Sequence, residues 1–77
     1  MREILTKRLY RHFKGNFYYV HDIATHTETG EELVVYQALY GDNGIFVRPL
    51  EMFIEEVELN REDNVTNQKY RFELYEK

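Results

Sequence analysis

The stretch that decides the fold is Glu32–Arg48, which reads ELVVYQALY, then GDNG, then IFVR. Its first part, Glu32–Tyr40, is rich in β-branched and aromatic residues and predicts a strand. Gly41–Gly44 follows as a hairpin turn, because asparagine and glycine tolerate a positive φ. Ile45–Arg48 then predicts a second strand. Pro49 ends it, since proline cannot donate a backbone hydrogen bond.

The residues before this hairpin repeat the same pattern of strand and turn. The alternation in 9–13 and the aromatic and β-branched residues of 17–25 predict two more strands. The turn between them falls at 14–16, and a further turn at 27–31 leads into the central hairpin. The chain therefore places its strands in consecutive antiparallel pairs.

The residues after Pro49 are less regular. We expect a tight helical turn at 50–53, an extended segment at 54–59 and a closing strand over 70–75. The polar stretch 60–68, NREDNVTNQ, shows no periodicity and is expected to be an unstructured connection. No internal repeat or low-complexity segment is present.

A chain of 77 residues fits one small domain. An open sheet of this size would expose one face and two edges, which favours partial closure. The element order predicts a mainly β fold, an SH3-like partly closed antiparallel barrel, with an OB-like five-stranded barrel as the alternative. Residues 1–77 form the domain, with 1–8 as an N-terminal arm. We expect the following residues in its core: Val20, Ile23, Val35, Leu39, Val47 and Phe53.

Composition excludes several classes of protein. Cysteine is absent, which excludes disulfides, thiolate zinc sites and a cysteine nucleophile. No apolar run reaches the roughly 18 residues of a membrane span, and the N-terminus lacks a signal-peptide segment, so we expect a cytoplasmic protein. The net charge is −4, yet residues 1–14 carry five basic residues against one acid. The net negative charge argues against a uniformly basic nucleic-acid-binding protein. The basic residues of 1–14 could still contact phosphate locally.

Several short motifs, in this order, resemble the small bacterial domain-of-unknown-function family DUF1653. They are YRHFKGN at 10–16, HTE at 26–28, VY at 35–36, YGD at 40–42 and VRPL at 47–50.

The resemblance covers about 9–57 and continues in the closing segment 70–75, where Arg71-Phe72 is similar to the family's closing Arg-Phe. It implies a small stand-alone SH3-like domain and, as the family name states, no known function. The chain differs from the family pattern at Phe46, where a tryptophan is usual, and in Asn60–Lys69, where a glycine turn is usual.

The residues that could carry catalysis or bind a metal form no convincing site. Serine and cysteine are absent, and His21 and His26 stand at an odd spacing that puts them on opposite strand faces. His26 with Glu28 could form a general-base pair, but a turn-capping pair is favoured. We therefore predict no catalytic residue, metal ligand or cofactor.

Arg48 is singled out because it lies between the strand residue Val47 and the strand-ending Pro49. An arginine in such a position more often stabilises the fold, by binding a carboxylate of the same protein through two hydrogen bonds, than it binds a ligand. We expect Glu28, Glu31 or Glu51 as its partner. Exposure of Arg48 beside tyrosine rings would instead make it a binding residue.

The aromatic residues carry the functional prediction. The strands 17–25 and 32–40 are apolar on both faces, so some tyrosine rings must reach the surface, where they suit recognition. The sequence thus predicts a non-catalytic interaction module for a protein or peptide partner, with its oligomeric state left open. The candidate binding residues are Tyr10, His12, Lys14, His26, Glu28, Tyr36, Tyr40 and Arg48.

The alternative is a nucleic-acid-associated module that uses the basic N-terminal segment. In it Lys7, Arg8, Arg11 and Lys14 would contact phosphate. Tyr10 or Phe13 would stack on a base.

Overall fold

The computed structural model describes residues 4–76 and shows a mainly β protein. Its elements are β1 (Arg8–His12), β2 (Phe17–Thr25), β3 (Glu32–Ala38), β4 (Ile45–Pro49), α1 (Leu50–Phe53) and β5 (Phe72–Leu74). All strand pairs are antiparallel, in the spatial order β4-β3-β2-β1-β5. The predicted strands, hairpin turns and helical turn are confirmed. No helix within 4–76 has the length and apolarity to cross a membrane.

The sheet curls strongly but does not close into a barrel, because β4 and β5 at its two ends are not paired with each other. Tyr36 on β3 and Phe72 on β5 pack with ring centroids 5.6 Å apart. In a flat sheet the two strands would be about 14 Å apart, since β2 and β1 lie between them. A β-bulge between Val20 and Asp22 in β2 increases the local bend. The predicted partly closed barrel is therefore an open, curled sheet.

The hydrophobic core lies on the concave face of the sheet. Phe53 of α1 and Phe72 of β5 stack with ring centroids 4.1 Å apart, so the short helix closes this face. The core consists of Ile4, Tyr10, Val20, Val34, Tyr36, Phe53 and Phe72. The core prediction is confirmed for Val20 and Phe53, whereas Ile23 is half-buried at its margin.

The core prediction is wrong for Val35, Leu39 and Val47, and side-chain alternation explains why. Val34 and Tyr36 face the core, so Val35 between them faces the convex side, where it pairs with Val47. Leu39 follows the end of β3 and is 47% exposed, and Val47 is 60% exposed. Both faces of these strands are apolar in sequence, so the pattern did not distinguish inside from outside.

Part of the expected N-terminal arm belongs to the domain. Ile4 is buried in the core, and the Leu5 backbone N–H donates to the Tyr10 hydroxyl over 2.9 Å. The Lys7 N–H donates to the Val20 carbonyl over 2.7 Å. Residues 1–3 of the arm lie outside the described residues.

The stretch 60–68 is ordered, so the expectation of an unstructured connection is wrong. Asn64 and Gln68 are buried and hydrogen-bonded through their amides. Asn64 Nδ2 donates to the carbonyls of Glu58 and Gln68 over 3.1 and 2.8 Å, and Gln68 Nε2 donates to that of Arg11 over 2.8 Å. Asn67 has a φ of 59°, the left-handed conformation that a glycine usually provides.

Candidate functional site: an aromatic cluster around Arg48

The candidate site lies on the concave side of the sheet beyond the core. Cross-strand pairing puts Arg48 opposite Val34 and Phe46 opposite Tyr36, so all four side chains share the concave face. Pairing of Tyr18 with Ala38 and of His12 with Phe72 brings the other strands onto the same surface. We call the resulting group the Arg48 cluster: His12, Tyr18, Tyr36, Tyr40, Phe46, Arg48 and Phe72.

Arg48 is half-buried among aromatic groups. Its Nε donates to the Tyr36 hydroxyl over 3.2 Å, and its guanidinium carbon lies 5.8 Å from the centre of the Phe72 ring. Among residues 4–76, no carboxylate forms an ion pair with it. Arg48 is thus a partly desolvated cation whose neighbours are a hydroxyl and a π face.

The prediction that a glutamate pairs with Arg48 is therefore wrong. Glu31 and Glu51 instead line a shallow depression beside Leu50 and Ile54. Glu28 lies in the exposed turn between β2 and β3. The cross-strand register instead turns Arg48 toward the concave face and its tyrosines.

Two tyrosine hydroxyls meet at the rim of the cluster. Tyr18 Oη and Tyr40 Oη lie 2.6 Å apart, and the Tyr18 ring packs edge-on against Tyr36 and Phe72 at 5.5 and 5.4 Å. Burial, followed by this hydrogen bond, raises the pKa of Tyr18. The Tyr18 hydroxyl therefore stays protonated at neutral pH. Since the bond between the two hydroxyls uses one proton, the other remains available to a ligand.

His12 contributes a neutral ring. Its Nδ1 accepts the Lys14 backbone N–H over 3.1 Å, so the neutral ring carries its proton on Nε2. Burial lowers the pKa of His12 from 6.5 to about 4, with the cations Arg71, Lys14 and Arg48 adding to the effect. The imidazole is therefore uncharged near neutral pH and can donate from Nε2.

Phe46 forms the outer wall of the cluster on β4. Its ring is 49% exposed and lies 5.9 Å from the Tyr36 ring. It folds back over Gly44, where an added Cβ would lie 3.0 Å from the ring. Gly44 thus leaves the space that this ring position needs.

The cluster combines one cation with several hydrogen-bond donors and no acidic member. Arg48 supplies the positive charge, while Tyr18, Tyr40 and His12 supply neutral donors. A guanidinium fork matches the planar geometry of a carboxylate, and the rings offer apolar contact around it. Chemically, the arrangement suits an anionic group attached to an apolar or aromatic segment.

Four of the predicted binding residues are not in this cluster. Tyr10 is only 1% exposed, so it belongs to the core rather than to a surface. Lys14 lies at the β1–β2 turn, with Nζ 3.8 Å from an Asp63 oxygen. His26 Nδ1 accepts the backbone N–H groups of Glu28 and Thr29 over 3.2 and 3.3 Å, which is the turn-capping role.

The basic N-terminal segment lacks the stacking groups that nucleic-acid binding was expected to use. Tyr10 and Phe13 are 1% and 0% exposed, so neither ring can stack on a base. Arg11 Nε donates to the Gly15 carbonyl over 3.2 Å. Across residues 4–76, no group of three or more His, Asp or Glu side chains is arranged to hold a metal ion.

Sequence reasoning missed Tyr18, Phe46 and Phe72 as site residues. Tyr18 meets Tyr36 as a diagonal neighbour across the β2–β3 pair, and Phe72 meets it only because the sheet curls; both contacts depend on strand pairing that no local pattern encodes. The signal for Phe46 was present, since it lies two residues before Arg48 and so shares its strand face.

Comparison with known proteins gives a family and a similar fold. The family model described as "Protein of unknown function (DUF1653)" matches residues 8–74. The chain is also similar to the crystal structure of a DUF1653 protein from Bordetella bronchiseptica. The two share 33% sequence identity and a TM-score of 0.70, over 92% of this chain and 86% of that one. Proteins with curated descriptions give no match.

Proposed function

The chain belongs to the DUF1653 family, and we propose that it is a non-catalytic interaction module that binds a carboxylate-bearing segment of a protein partner. The Arg48 cluster is the binding surface. The observation that carries the proposal is the state of Arg48, half-buried between Tyr36 and Phe72 with no ion-pair partner among residues 4–76. The proposed setting is a bacterial cytoplasm.

Partial burial of a guanidinium removes some of its hydration, and an anion restores the lost stabilisation. Arg48 uses Nε for the Tyr36 hydroxyl, which leaves the two Nη groups to bind one carboxylate through parallel hydrogen bonds. The exposed parts of Phe46 and Tyr40 lie next to this position, with exposed fractions of 49% and 46%. They provide apolar contact for the residues flanking the acid.

A displayed library of random peptides tests the proposal and does not require that the partner be identified. We expect the selected peptides to share an Asp or Glu next to an apolar or aromatic residue. Arg48→Met should weaken their binding by about tenfold to a hundredfold, as expected for a hydrogen-bonded charge pair. Arg48→Lys should restore only part of the affinity, because an ammonium cannot form the planar fork.

Arg8→Met is the matched control, since it removes an exposed arginine of the same sheet that donates to the neighbouring Lys7 carbonyl. It should leave peptide affinity unchanged. Selected peptides without an acid, or equal binding by the Arg48→Met variant, would overturn the proposal. Retention on single-stranded DNA with a steep salt dependence, insensitive to Arg48→Met, would favour the basic segment instead.

A further inference from the structure

The free edge of β4 carries an apolar surface that adjoins the Arg48 cluster and shares Phe46 with it. Ile45, Phe46 and Val47 are consecutive and are 63%, 49% and 60% exposed. Within the described residues 4–76, β4 has one strand neighbour, β3, so its other side is an edge of the sheet. A long apolar edge strand is prone to pair with another strand, and protein edges usually carry charges or bulges that prevent this.

The direction of the backbone groups on this edge follows from the β3–β4 ladder. The Ala38 N–H donates to the Gly44 carbonyl over 2.9 Å, so this pair is a hydrogen-bonded one. Hydrogen-bonded and non-hydrogen-bonded pairs alternate in an antiparallel ladder. Ile45 and Val47 therefore belong to the non-hydrogen-bonded pairs with Gln37 and Val35, and their own N–H and C=O groups point outward along the free edge.

We propose that β4 pairs antiparallel with β4 of a second copy of this chain, with Phe46 opposite Phe46 of the partner and two-fold symmetry about that pair. In this register Ile45 lies opposite the partner's Val47, and Val47 lies opposite the partner's Ile45. Two such pairs supply four backbone hydrogen bonds, from the groups that point outward. A two-fold interface of this kind is closed and stops at a dimer.

The side chains fit the same register on both faces. On the convex face, Ile45 of each copy contacts Val47 of the other, so apolar side chains pack against apolar side chains. On the concave face the two Phe46 rings adjoin. Arg48 lies opposite the partner's Gly44, so the symmetry brings no two like charges directly across from each other. The dimer sets two Arg48 clusters side by side on one face, which gives a bivalent form of the binding surface.

Sedimentation equilibrium on the full chain tests the dimer. Wild type should show a concentration-dependent dimer, and Val47→Lys should raise its dissociation constant at least about tenfold by placing a charge at each symmetric contact. Val65→Lys is the matched control, since Val65 is 68% exposed but lies in the loop before β5. It should leave the dissociation constant unchanged. Wild type that stays monomeric at millimolar concentration overturns the proposal, as does equal dimerisation by Val47→Lys.

The register is tested with single cysteines, because the chain has none of its own. Directly opposed residues of a non-hydrogen-bonded antiparallel pair have Cβ atoms about 4.5–5.5 Å apart, near disulfide geometry. Phe46→Cys should therefore form a disulfide-linked dimer under mild oxidation, and Val65→Cys should not. Absence of the Phe46→Cys link, or equal linking of both variants, overturns the register. Neither measurement depends on peptide binding, so this dimer and the proposed function can fail separately.

Discussion

The two ends of the sheet differ in how the protein covers them. At the β5 end, the chain leading into the strand pairs with 55–57: the Val57 N–H donates to the Lys69 carbonyl and the Arg71 N–H to the Glu55 carbonyl, each over 2.8 Å. Arg71 Nη2 also lies 2.6 Å from the Glu55 carboxylate. At the other end, β4 presents three exposed apolar residues in a row.

We interpret this difference as a division of roles, in which the β5 end stabilises the fold and the β4 end binds other molecules. The β5 end holds the stacked rings of Phe53 and Phe72 and the buried amides of Asn64 and Gln68. The β4 end holds Phe46 and Arg48, whose contacts are incomplete. Removing side chains at the β5 end should therefore unfold the protein, whereas removing them at the β4 end should mainly affect association and binding.

The largest effect is expected from a pair of matched truncations. Phe72→Ala should lower the free energy of unfolding by about 3–5 kcal/mol, because the ring is 1% exposed and leaves a cavity. Phe53→Ala should have an effect of the same size. Phe46→Ala removes a half-exposed ring and should cost about 1 kcal/mol or less. Urea denaturation measures all three, and equal losses at Phe46 and Phe72 would contradict the division between the two ends.

The buried amides of the β5 end should give the next largest effect. Asn64→Ala removes the partner of the Gln68 N–H and of two carbonyls, at a cost of about 1–3 kcal/mol. Asn60→Ala, at an exposed position of the same loop, is the control and should change stability little. If both variants unfold at the same urea concentration, the loop does not depend on its buried amides.

Protonation of His12 at acid pH should lower the free energy of unfolding by a smaller amount. The pKa of His12 in the folded protein is about 4, below the 6.5 of an unperturbed histidine, so the unfolded chain binds the proton more readily. This contribution to stability is fully present above about pH 6.5 and is lost as the pH falls toward about 4. His12→Asn keeps an acceptor for the Lys14 N–H without titrating, and should show a shallower decline in urea stability. An identical decline in both proteins would exclude His12 as its source.

The smallest change in stability is expected at Arg48. Its removal leaves no buried carboxylate without a partner, since no acid pairs with it among residues 4–76. Arg48→Met and Arg48→Lys should each change the free energy of unfolding by about 1 kcal/mol or less. A loss above about 2 kcal/mol for both variants would show that Arg48 supports the fold, and the contrast between the two ends would then fail.

The sequence by itself determined the local elements of this protein. The β-branched and aromatic residues of Glu32–Ala38 favour a strand, and Gly41 and Asn43 take the left-handed φ values of 58° and 54° that their turn requires. The ordered motifs from Tyr10 to Leu50 identified the family. These features depend on near neighbours in the chain, so a linear pattern can encode them.

Tertiary structure decided which faces are inside and which residues meet. Val35 and Val47 are apolar residues of a type common in protein cores. Because Val34 and Tyr36 face the core, Val35 between them and its cross-strand partner Val47 lie on the convex face. The loop 60–68 has no periodicity, because its order comes from buried amides that bond to backbone carbonyls: Asn64 bonds within and beside the loop, and Gln68 bonds to the Arg11 carbonyl on β1.

The Arg48 cluster belongs to the same category. Its members come from five strands and the turn after β3, and only the curl of the sheet brings Phe72 to within 5.6 Å of Tyr36. The expectation of a carboxylate partner for Arg48 came from the acids of the 27–31 turn and from Glu51, whereas its contacts are the Tyr36 hydroxyl, 12 residues before it, and the Phe72 ring on β5. Contacts at that range depend on register and curvature, which arise only when all the strands pack at once.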